Sequence, residues 1–385
     1  MRRPAEPSQT PAADFDAVAL RPAWVEIDLA AIRFNVAEAK RLAGSAKLFV
    51  VVKGDGYGGG VVEIAKAAVA AGTDAIAIGA PADALALRNA GIKCPILMYA
   101  STLPEHAALV ASLGIAVTIH DFVSLDAFAH CGVPVEAWVK VDCGLGRLGF
   151  NPDEFAAAFA RLQKAKTLHF GGIYAHFALP EEPAVMATQQ RIFADACRAA
   201  EHAGQARFER MVASSRVMLG YPELNLTAIN PGRFILGLME PPWATKASVR
   251  PAVRSLKSRV IQIKDLPAGT VSFGGAERKL GPVRAAVLPI GYGEGLPHAP
   301  PCHEVLVRGK RAKILSRRGI EHTVIDVTGI AGVEIGEEAV LLGSQGGDAI
   351  TAEELSAALK VPVLELIPRI ARCAPRRYVE SQDFS

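Results

Sequence analysis

The sequence predicts an α/β chain: a closed (β/α)₈ TIM-type barrel followed by a C-terminal, mostly β domain. From Lys47 to Leu238, short β-branched runs alternate with Ala-rich stretches of helical periodicity, the signature of repeated βα units around a parallel sheet. Eight strand-like runs fall in that interval of about 190 residues, which suits a barrel somewhat more compact than the usual ~250 residues. After Pro251 the texture changes to short β runs separated by Gly and Pro turns, the pattern of an all-β domain.

The eight barrel strands are expected at Leu48–Val52, Ala75–Gly79, Pro95–Tyr99, Ala116–His120, Ala137–Asp142, His169–His176, Arg210–Ala213 and Arg233–Gly237. Helices are expected between them at Val61–Ala71, Pro81–Ala90, Pro152–Lys164 and Ala184–Ala203. In the β domain the candidate strands are Val260–Ile263, Val283–Leu288, Glu304–Val307, Lys313–Leu315, Val324–Val327 and Ala339–Leu342. A single helix, Ala352–Leu359, interrupts them, with Thr351 as N-cap and Glu354 three positions on. The expected division is a flexible leader over residues 1–20, the barrel over 21–250 and the β domain over 251–385.

Composition narrows the function classes. The chain has 385 residues, half of them hydrophobic and 21% charged, which excludes a disordered solvating protein. The net charge of +3 arises from 42 basic and 39 acidic residues dispersed along the chain, so no field of the kind that draws nucleic acid is expected. The longest uncharged apolar stretch, Ala107 to Ile119, is 13 residues long, short of the roughly 18 to 20 that span a bilayer. Arg2 and Arg3 lead into Pro, Ala, Ser and Gln without an apolar core, which reads as a cytoplasmic leader rather than a secretory signal. Six cysteines (Cys94, Cys131, Cys143, Cys197, Cys302, Cys373) lie far apart without a C-x-x-C spacing. Reduced, mostly buried thiols are expected, with no metal site.

In a barrel of this type the loops after the strands build the active face, so ionisable residues at strand ends are candidates for chemistry. Lys53 ends the first strand behind Phe49-Val-Val-Val. Desolvation there would lower the amine's pKa, as Schiff-base chemistry requires; a strand-end lysine can equally snorkel to solvent. Lys140 and Asp142 close the fifth strand, His176 the sixth, Ser214 and Ser215 the seventh, while Gly232 and Arg233 open the eighth. Together they put an amine, an imidazole, hydroxyls and a guanidinium on one rim, an inventory suited to a small, anionic, ring-bearing cofactor.

Five ordered segments carry a specific resemblance. Val51-Val-Lys53-Gly-Asp-Gly-Tyr57-Gly-Gly-Gly60, Lys140-Val-Asp-Cys-Gly-Leu-Gly-Arg147-Leu-Gly149, Tyr174-Ala-His176-Phe-Ala178, Asn230-Pro-Gly-Arg233 and Pro289-Ile-Gly-Tyr292-Gly-Glu-Gly-Leu-Pro297 resemble, in sequence and spacing, the motifs of the alanine racemase family from about Arg21 to Tyr378. The resemblance implies a pyridoxal 5'-phosphate-dependent amino-acid racemase. Lys53 would carry the cofactor as a Schiff base; Tyr57, Ser215 and the backbone amides of Ile235 and Leu236 would hold its phosphate. His176 would support the ring, and Arg147 would reach the phenolic oxygen and the substrate, with Lys140, often carbamylated in this family, nearby. Arg233 would donate to the ring nitrogen; a guanidinium with pKa above about 12 cannot protonate it, which weakens the electron sink and suits racemisation over transamination. Racemisation needs a base on each face of a planar centre. Lys53 would be one base and Tyr292, contributed by the other subunit of a homodimer, the second.

Departures fall on the substrate side. Ile320 and Glu321 stand where the family usually has a Met-Asp pair whose first amide meets the substrate carboxylate, Arg372 where many members have tyrosine, and Gly59 where histidine is common. Alanine is the expected substrate, with another or broader amino acid open. A pyridoxal-phosphate amino-acid decarboxylase of the same plan and a non-catalytic cofactor-binding protein are the alternatives. The first expects a cysteine-containing loop in the β domain that Cys302 and Cys373 do not form, and the second lacks the β domain altogether.

Overall fold

The computed structural model describes residues 20–99, 102–271, 279–300 and 303–381; residues 1–19 of the expected leader, and Cys302, lie outside the described residues. The chain divides into two compact units. One holds residues 28–253, and the other holds residues 254–378 with the strand that precedes residue 28.

The first strand, β1 (Ala23–Asp28), belongs to the sheet of the second unit, where it lies beside Val253–Arg259 and Arg376–Val379. Asp28 then caps the helix Leu29–Ala43, its carboxylate accepting from Ala30 N (2.9 Å) and Ala31 N (3.2 Å). This anchors two amides that have no partner inside the helix. Ala31, Ile32, Asn35, Val36 and Ala39 recur on its buried face.

Eight parallel strands follow and close on themselves: β2 (Lys47–Val51), β3 (Ala75–Ile78), β4 (Ile96–Met98), β5 (Ala116–Ile119), β6 (Val135–Lys140), β7 (Leu168–Tyr174), β8 (Glu209–Ala213) and β9 (Ala228–Ile229). Closure is made by β9 pairing with β2 through Lys47↔Ala228 and Leu48↔Ile229. The strands are short apolar runs because both of their faces are buried, one by barrel-filling side chains and one by helices. Phe49, Ala75, Leu97, Trp138, Tyr174, Met211 and Ala228 fill the lumen. Trp138 packs edge-on to Phe49 at 5.2 Å, and adjacent glycines on β7 make the space it occupies. A Cβ on Gly172 would lie 2.9 Å from the indole and 2.6 Å from the Glu209 carbonyl. The β6–β7 register shifts beside this point, between Ala137 and Trp138.

Seven expected barrel strands coincide with observed ones to within a few residues. The eighth does not: residues 233–237 form a turn, and β9 is Ala228–Ile229. Phe234-Ile235-Leu236 is apolar because the turn is buried, not because it is extended; its bonds run Ile235 N to Gly232 O and Leu236 N to Arg233 O. Arg233 therefore follows the last strand rather than opening it, which places it at the same barrel mouth as the other strand-end residues.

In the second unit the strands Val283–Leu288 and Glu304–Val307 fall as expected, and Gln262–Leu266, Val283–Leu288 and Thr323–Asp326 form an antiparallel three-stranded sheet. The strand expected at Val260–Ile263 begins two residues later, as Gln262–Leu266, after a break at residues 260–261 that separates it from Val253–Arg259, and that expected at Lys313–Leu315 lies earlier, at Lys310–Lys313. Helix Ala352–Leu359 is capped by Thr351, which accepts from Glu354 N. It is not single. A second helix, Val363–Cys373, runs through Pro368 and buries Leu366, Ile367, Ile370 and Ala371; apolar packing of that face outweighs the hydrogen bond proline removes. The five described cysteines are free, and only Cys143 and Cys197 are buried. Among the described residues no helix is long and apolar enough to cross a membrane.

Gly172→Ala should destabilise the barrel by about 1–3 kcal/mol, because the added methyl overpacks a filled lumen. A thermal midpoint lowered by several degrees with an unchanged circular-dichroism spectrum is the expected result; an unaltered midpoint would mean that both the Trp138 ring and the Glu209 carbonyl give way freely.

Candidate active site at the barrel mouth

A cavity of about 470 Å³ opens at the carboxyl ends of the strands, and its walls include Lys53, Tyr57, Lys140, Arg147, His176, Ser215 and Arg233. These seven sequence-predicted residues, drawn from positions 180 residues apart, meet in one place. A second cavity of about 580 Å³ lies at the opposite barrel end, lined by Phe49, Trp138, Lys47, Glu136 and Glu209; its polar groups are spent on one another, as in Lys47–Glu209 (2.6 Å) and Trp138–Glu136 (2.7 Å).

Lys53 stands immediately beyond β2, and Gly79, at the end of β3, leaves room for it: a Cβ there would lie 3.1 Å from Lys53 Cβ. The chain then turns left-handed. Gly54, Asp55, Gly56, Tyr57 and Gly58 all have positive φ, between 54° and 85°, a conformation glycine adopts freely and a tyrosine only under constraint. The constraint includes Asp55, whose carboxylate accepts from Val61 N (2.9 Å) and ties the turn to the next helix. The turn carries Tyr57 back over the cavity, against Gly232, where any Cβ would collide with the phenol at 2.1 Å.

Arg147 is carried by the loop after β6, and one carboxylate organises that loop. Asp142 accepts from Gly144 N (2.9 Å), Leu145 N (2.8 Å), Gly146 N (2.8 Å) and Arg147 N (3.2 Å). The neck is closed by Asp142 N to Phe150 O and Phe150 N to Lys140 O, both 3.0 Å. At Gly149, with φ 123°, a Cβ would lie 2.6 Å from the backbone of Val141 and Asp142. The sequence marked Asp142 only as a strand-end acid; its hub role depends on loop geometry that spacing does not reveal.

On the far wall, Ser215 Oγ accepts from Gly232 N and Phe234 N, each at 3.2 Å. With both lone pairs used, its O–H is left to donate. The Ile235 and Leu236 amides, expected on a phosphate, here donate to turn carbonyls at 3.0 and 3.2 Å. That turn is pinned from behind by Asn35, which donates to Ile235 O (3.0 Å) and Arg250 O (2.7 Å). Nothing in the sequence pattern distinguished Asn35 from other helix-face residues. Arg233 Nη1 lies 3.1 Å from both oxygens of Glu240.

Lys53, Lys140, Arg147 and Arg233 crowd positive charge into this mouth. Lys53 is open to the cavity, yet the surrounding walls thin its solvent, so desolvation, then Arg147 and Arg233, lower its pKa. Buried Lys140 is pushed down to about 8 by desolvation and by Arg147, against opposing pulls from Cys143 and Asp142. Burial, then the four cations, hold His176 down to about 4. Burial raises the Tyr57 phenol to about 12, with Arg233 opposing. At neutral pH His176 is therefore neutral and Tyr57 is a hydrogen-bond donor. An anion bearing several acceptor oxygens is what this set of donors accommodates.

Tyr292 and Ile320 lie in the second unit and are brought together there, with Tyr292 N donating to Gly319 O (3.0 Å) and Gly293 N to Ile320 O (2.8 Å). Both side chains are exposed, at 41% and 58%.

A closed barrel with a cationic mouth built at its strand ends, in a chain with a second, β unit, is the architecture of a barrel enzyme, and the mouth is suited to a small anion. Comparison with known proteins sharpens this. Residues 27–240 match the family model for the alanine racemase N-terminal domain, and residues 253–378 that for the alanine racemase C-terminal domain. The alanine racemase of Desulfovibrio desulfuricans is 33% identical over 370 residues, covering 94% of this chain and 99% of that protein; that of Symbiobacterium thermophilum is 32% identical, covering 93% and 97%. Among solved structures, alanine racemase from D-cycloserine-producing Streptomyces lavendulae superposes with TM-score 0.86 at 29% identity, covering 94% of this chain and 98% of that one. The Bacillus anthracis alanine racemase with bound L-Ala-P gives 0.87 at 27%, covering 94% and 96%. The chain belongs to the alanine racemase family, a family of pyridoxal-phosphate-dependent amino-acid racemases.

His176 generates a pH prediction. Its folded pKa lies below the unfolded value of about 6.5, so the unfolded chain takes up the proton first as pH falls. The resulting loss of stability is absent above that pH and grows toward about 4, by on the order of 1 kcal/mol per pH unit. In thermal denaturation of the cofactor-free protein, His176→Gln should lose less stability than wild type between pH 7 and pH 5; identical slopes would contradict the assignment.

Proposed function

We propose that this chain racemises alanine in the cytoplasm, as a homodimer, by a two-base reaction with pyridoxal 5'-phosphate bound through Lys53. The observation that carries the reading is the desolvated amine of Lys53 in a mouth it shares with three further cations and two hydroxyl donors. The residues fit the group. Tyr57 and Ser215 have O–H bonds to give a phosphate, Arg147 offers a guanidinium to a phenolic oxygen, neutral His176 can lie against a ring without adding charge, and Arg233 can donate to a ring nitrogen. The Ile235 and Leu236 amides would complete the phosphate cradle by sharing their turn bonds.

When bound, the cofactor supplies an electron sink that acidifies the substrate's α-carbon. Lys53 Nζ, with its lowered pKa, takes or returns the α-proton on one face. A second group must act on the opposite face, and Tyr292 of the partner subunit is assigned to it, supported by its exposure beside Ile320. Arg233 contributes a hydrogen bond without a transferable proton. Arg147 orients the substrate, and Ile320 meets its carboxylate through the backbone. The free cysteines accord with a reducing compartment.

The wider substrate question turns on Ile320, Glu321, Arg372 and Gly59. Glu321 is exposed and lies 3.8 Å from Arg21, and Arg372 is exposed on the helix Val363–Cys373. At Gly59 a Cβ would approach Gly56 O and Ile64 at 3.2 Å, so a larger side chain there would press on the turn that follows Lys53.

Lys53→Ala should abolish both the visible absorbance of the lysine-bound cofactor and racemisation. Tyr292→Phe should retain that absorbance and lose roughly 10²–10⁴ in rate, the range typical of a general acid or base. α-Proton exchange in deuterated water, screened across L- and D-amino acids, should be fastest with alanine. Retained absorbance in Lys53→Ala would sink the cofactor assignment, and faster exchange with another amino acid would replace alanine.

A further inference from the structure

The second unit fixes the backbone of Tyr292 closely. Gly291 N donates to the buried Glu294 carboxylate (2.8 Å), which also receives Arg21, while the amides of Tyr292 and Gly293 are bound to the carbonyls of Gly319 and Ile320. A Cβ on Gly291 would meet the Gly319 carbonyl at 2.1 Å, so the two segments touch backbone to backbone. None of these bonds restrains the phenol itself, whose side-chain torsions remain to be set.

His298 packs against that ring, centroids 5.8 Å apart and planes at 83°. This edge-to-face arrangement is the orientation aromatic quadrupoles favour. The imidazole is itself anchored. Its Nδ1 lies 2.6 Å from the Arg318 carbonyl, and because a carbonyl only accepts, Nδ1 carries the proton. Arg318 N returns a bond to the His298 carbonyl (3.2 Å). The fully buried Arg318 side chain donates from Nη1 to the carbonyls of Pro297 (2.7 Å) and Pro300 (3.1 Å), one on either side of His298. A buried guanidinium thus clamps a turn, the turn aims an imidazole, and the imidazole meets the phenol.

We propose that His298 is a positioning residue for Tyr292, holding its phenol at the angle from which it exchanges a proton with the substrate's α-carbon. The proposal rests on the assignment of Tyr292 as the second base. A displacement of about 1 Å in a reacting group can lower a rate on the order of 10²-fold, so a side chain that only steers the phenol can still have a large kinetic effect.

The test uses the cofactor-loaded, full-length enzyme and the variants His298→Ala, His298→Phe and Tyr292→Phe. His298→Ala should lower kcat roughly ten- to hundredfold with cofactor absorbance retained. It should raise the α-deuterium isotope effect in one direction of racemisation only, the direction in which Tyr292 removes the proton. In a Tyr292→Phe background, His298→Ala should leave the residual α-proton exchange in deuterated water unchanged, since there is no phenol left to aim. His298→Phe keeps a ring in place and drops the bond to the Arg318 carbonyl; it should give an intermediate loss, and it serves if the alanine variant does not fold. Isotope effects raised equally in both directions, or a further loss in the Tyr292→Phe background, would reveal a general structural role and overturn the proposal. A fully active His298→Ala beside an inactive Tyr292→Phe would also overturn it while leaving the second base in place. Wild-type activity of Tyr292→Phe would instead remove the two-base reading itself.

Discussion

The organising constraint is a concentration of positive charge. Lys53, Lys140, Arg147 and Arg233 share one cavity, and among the described residues the one carboxylate hydrogen-bonded to any of their side chains is Glu240, on Arg233. Like charges in a partly desolvated space repel, and the fold tolerates this only because each cation is tied to a separate rigid strand end or a stapled loop. Burial first, and this repulsion after it, lower the proton affinity of Lys53, Lys140 and His176. The repulsion is relieved by an anion, so ligand binding should stabilise the unit as well as fill the site.

Two backbone devices keep the charges in register. The left-handed turn after Lys53 allows Lys53 and Tyr57, four residues apart, to face the same cavity; an ordinary strand-to-helix turn would carry Tyr57 away with the chain. The Asp142 loop works differently: one carboxylate absorbs four amide donors, so a glycine-rich segment that would otherwise be mobile presents Arg147 from a fixed base. Both devices place strain or flexibility beside the chemistry and offset it with local hydrogen bonds, as functional sites commonly do.

How much of this was legible in the sequence follows from the range of the interactions involved. Barrel strands are short apolar runs between helical repeats, and seven of eight could be read because burial on both faces leaves a local compositional trace. The eighth failed where a buried turn, Phe234-Ile235-Leu236, left the same trace without being extended. The helix Val363–Cys373 was missed because Pro368 argues locally against it, while the packing that supports it is tertiary. At the site, the strand-end rule found Lys53, Lys140, His176 and Ser215 from residue type and position. The roles of Arg147, Tyr57 and Tyr292 came from motif resemblance, not from pattern. Asn35 pinning the turn and Ser215 accepting two amides could not be read at all, since each depends on backbone groups brought together from distant positions.

The same distinction separates the groups of the barrel mouth from the positions that depart from the family pattern. Groups that would serve the cofactor sit on barrel strand ends or on the hydrogen-bonded turns that leave them, which local bonds hold in place. Ile320 and Glu321 sit on an exposed segment of the second unit, fixed through backbone bonds to the Tyr292 turn. On the proposed reading, in which the Ile320 amide meets the substrate carboxylate, the side chains at 320 and 321 can change without loss of that donor. A methylene more or less in a substrate pocket is worth only about 1 to 3 kcal/mol. Discrimination between alanine and its neighbours can therefore drift by such steps while the proton-transfer machinery stays intact.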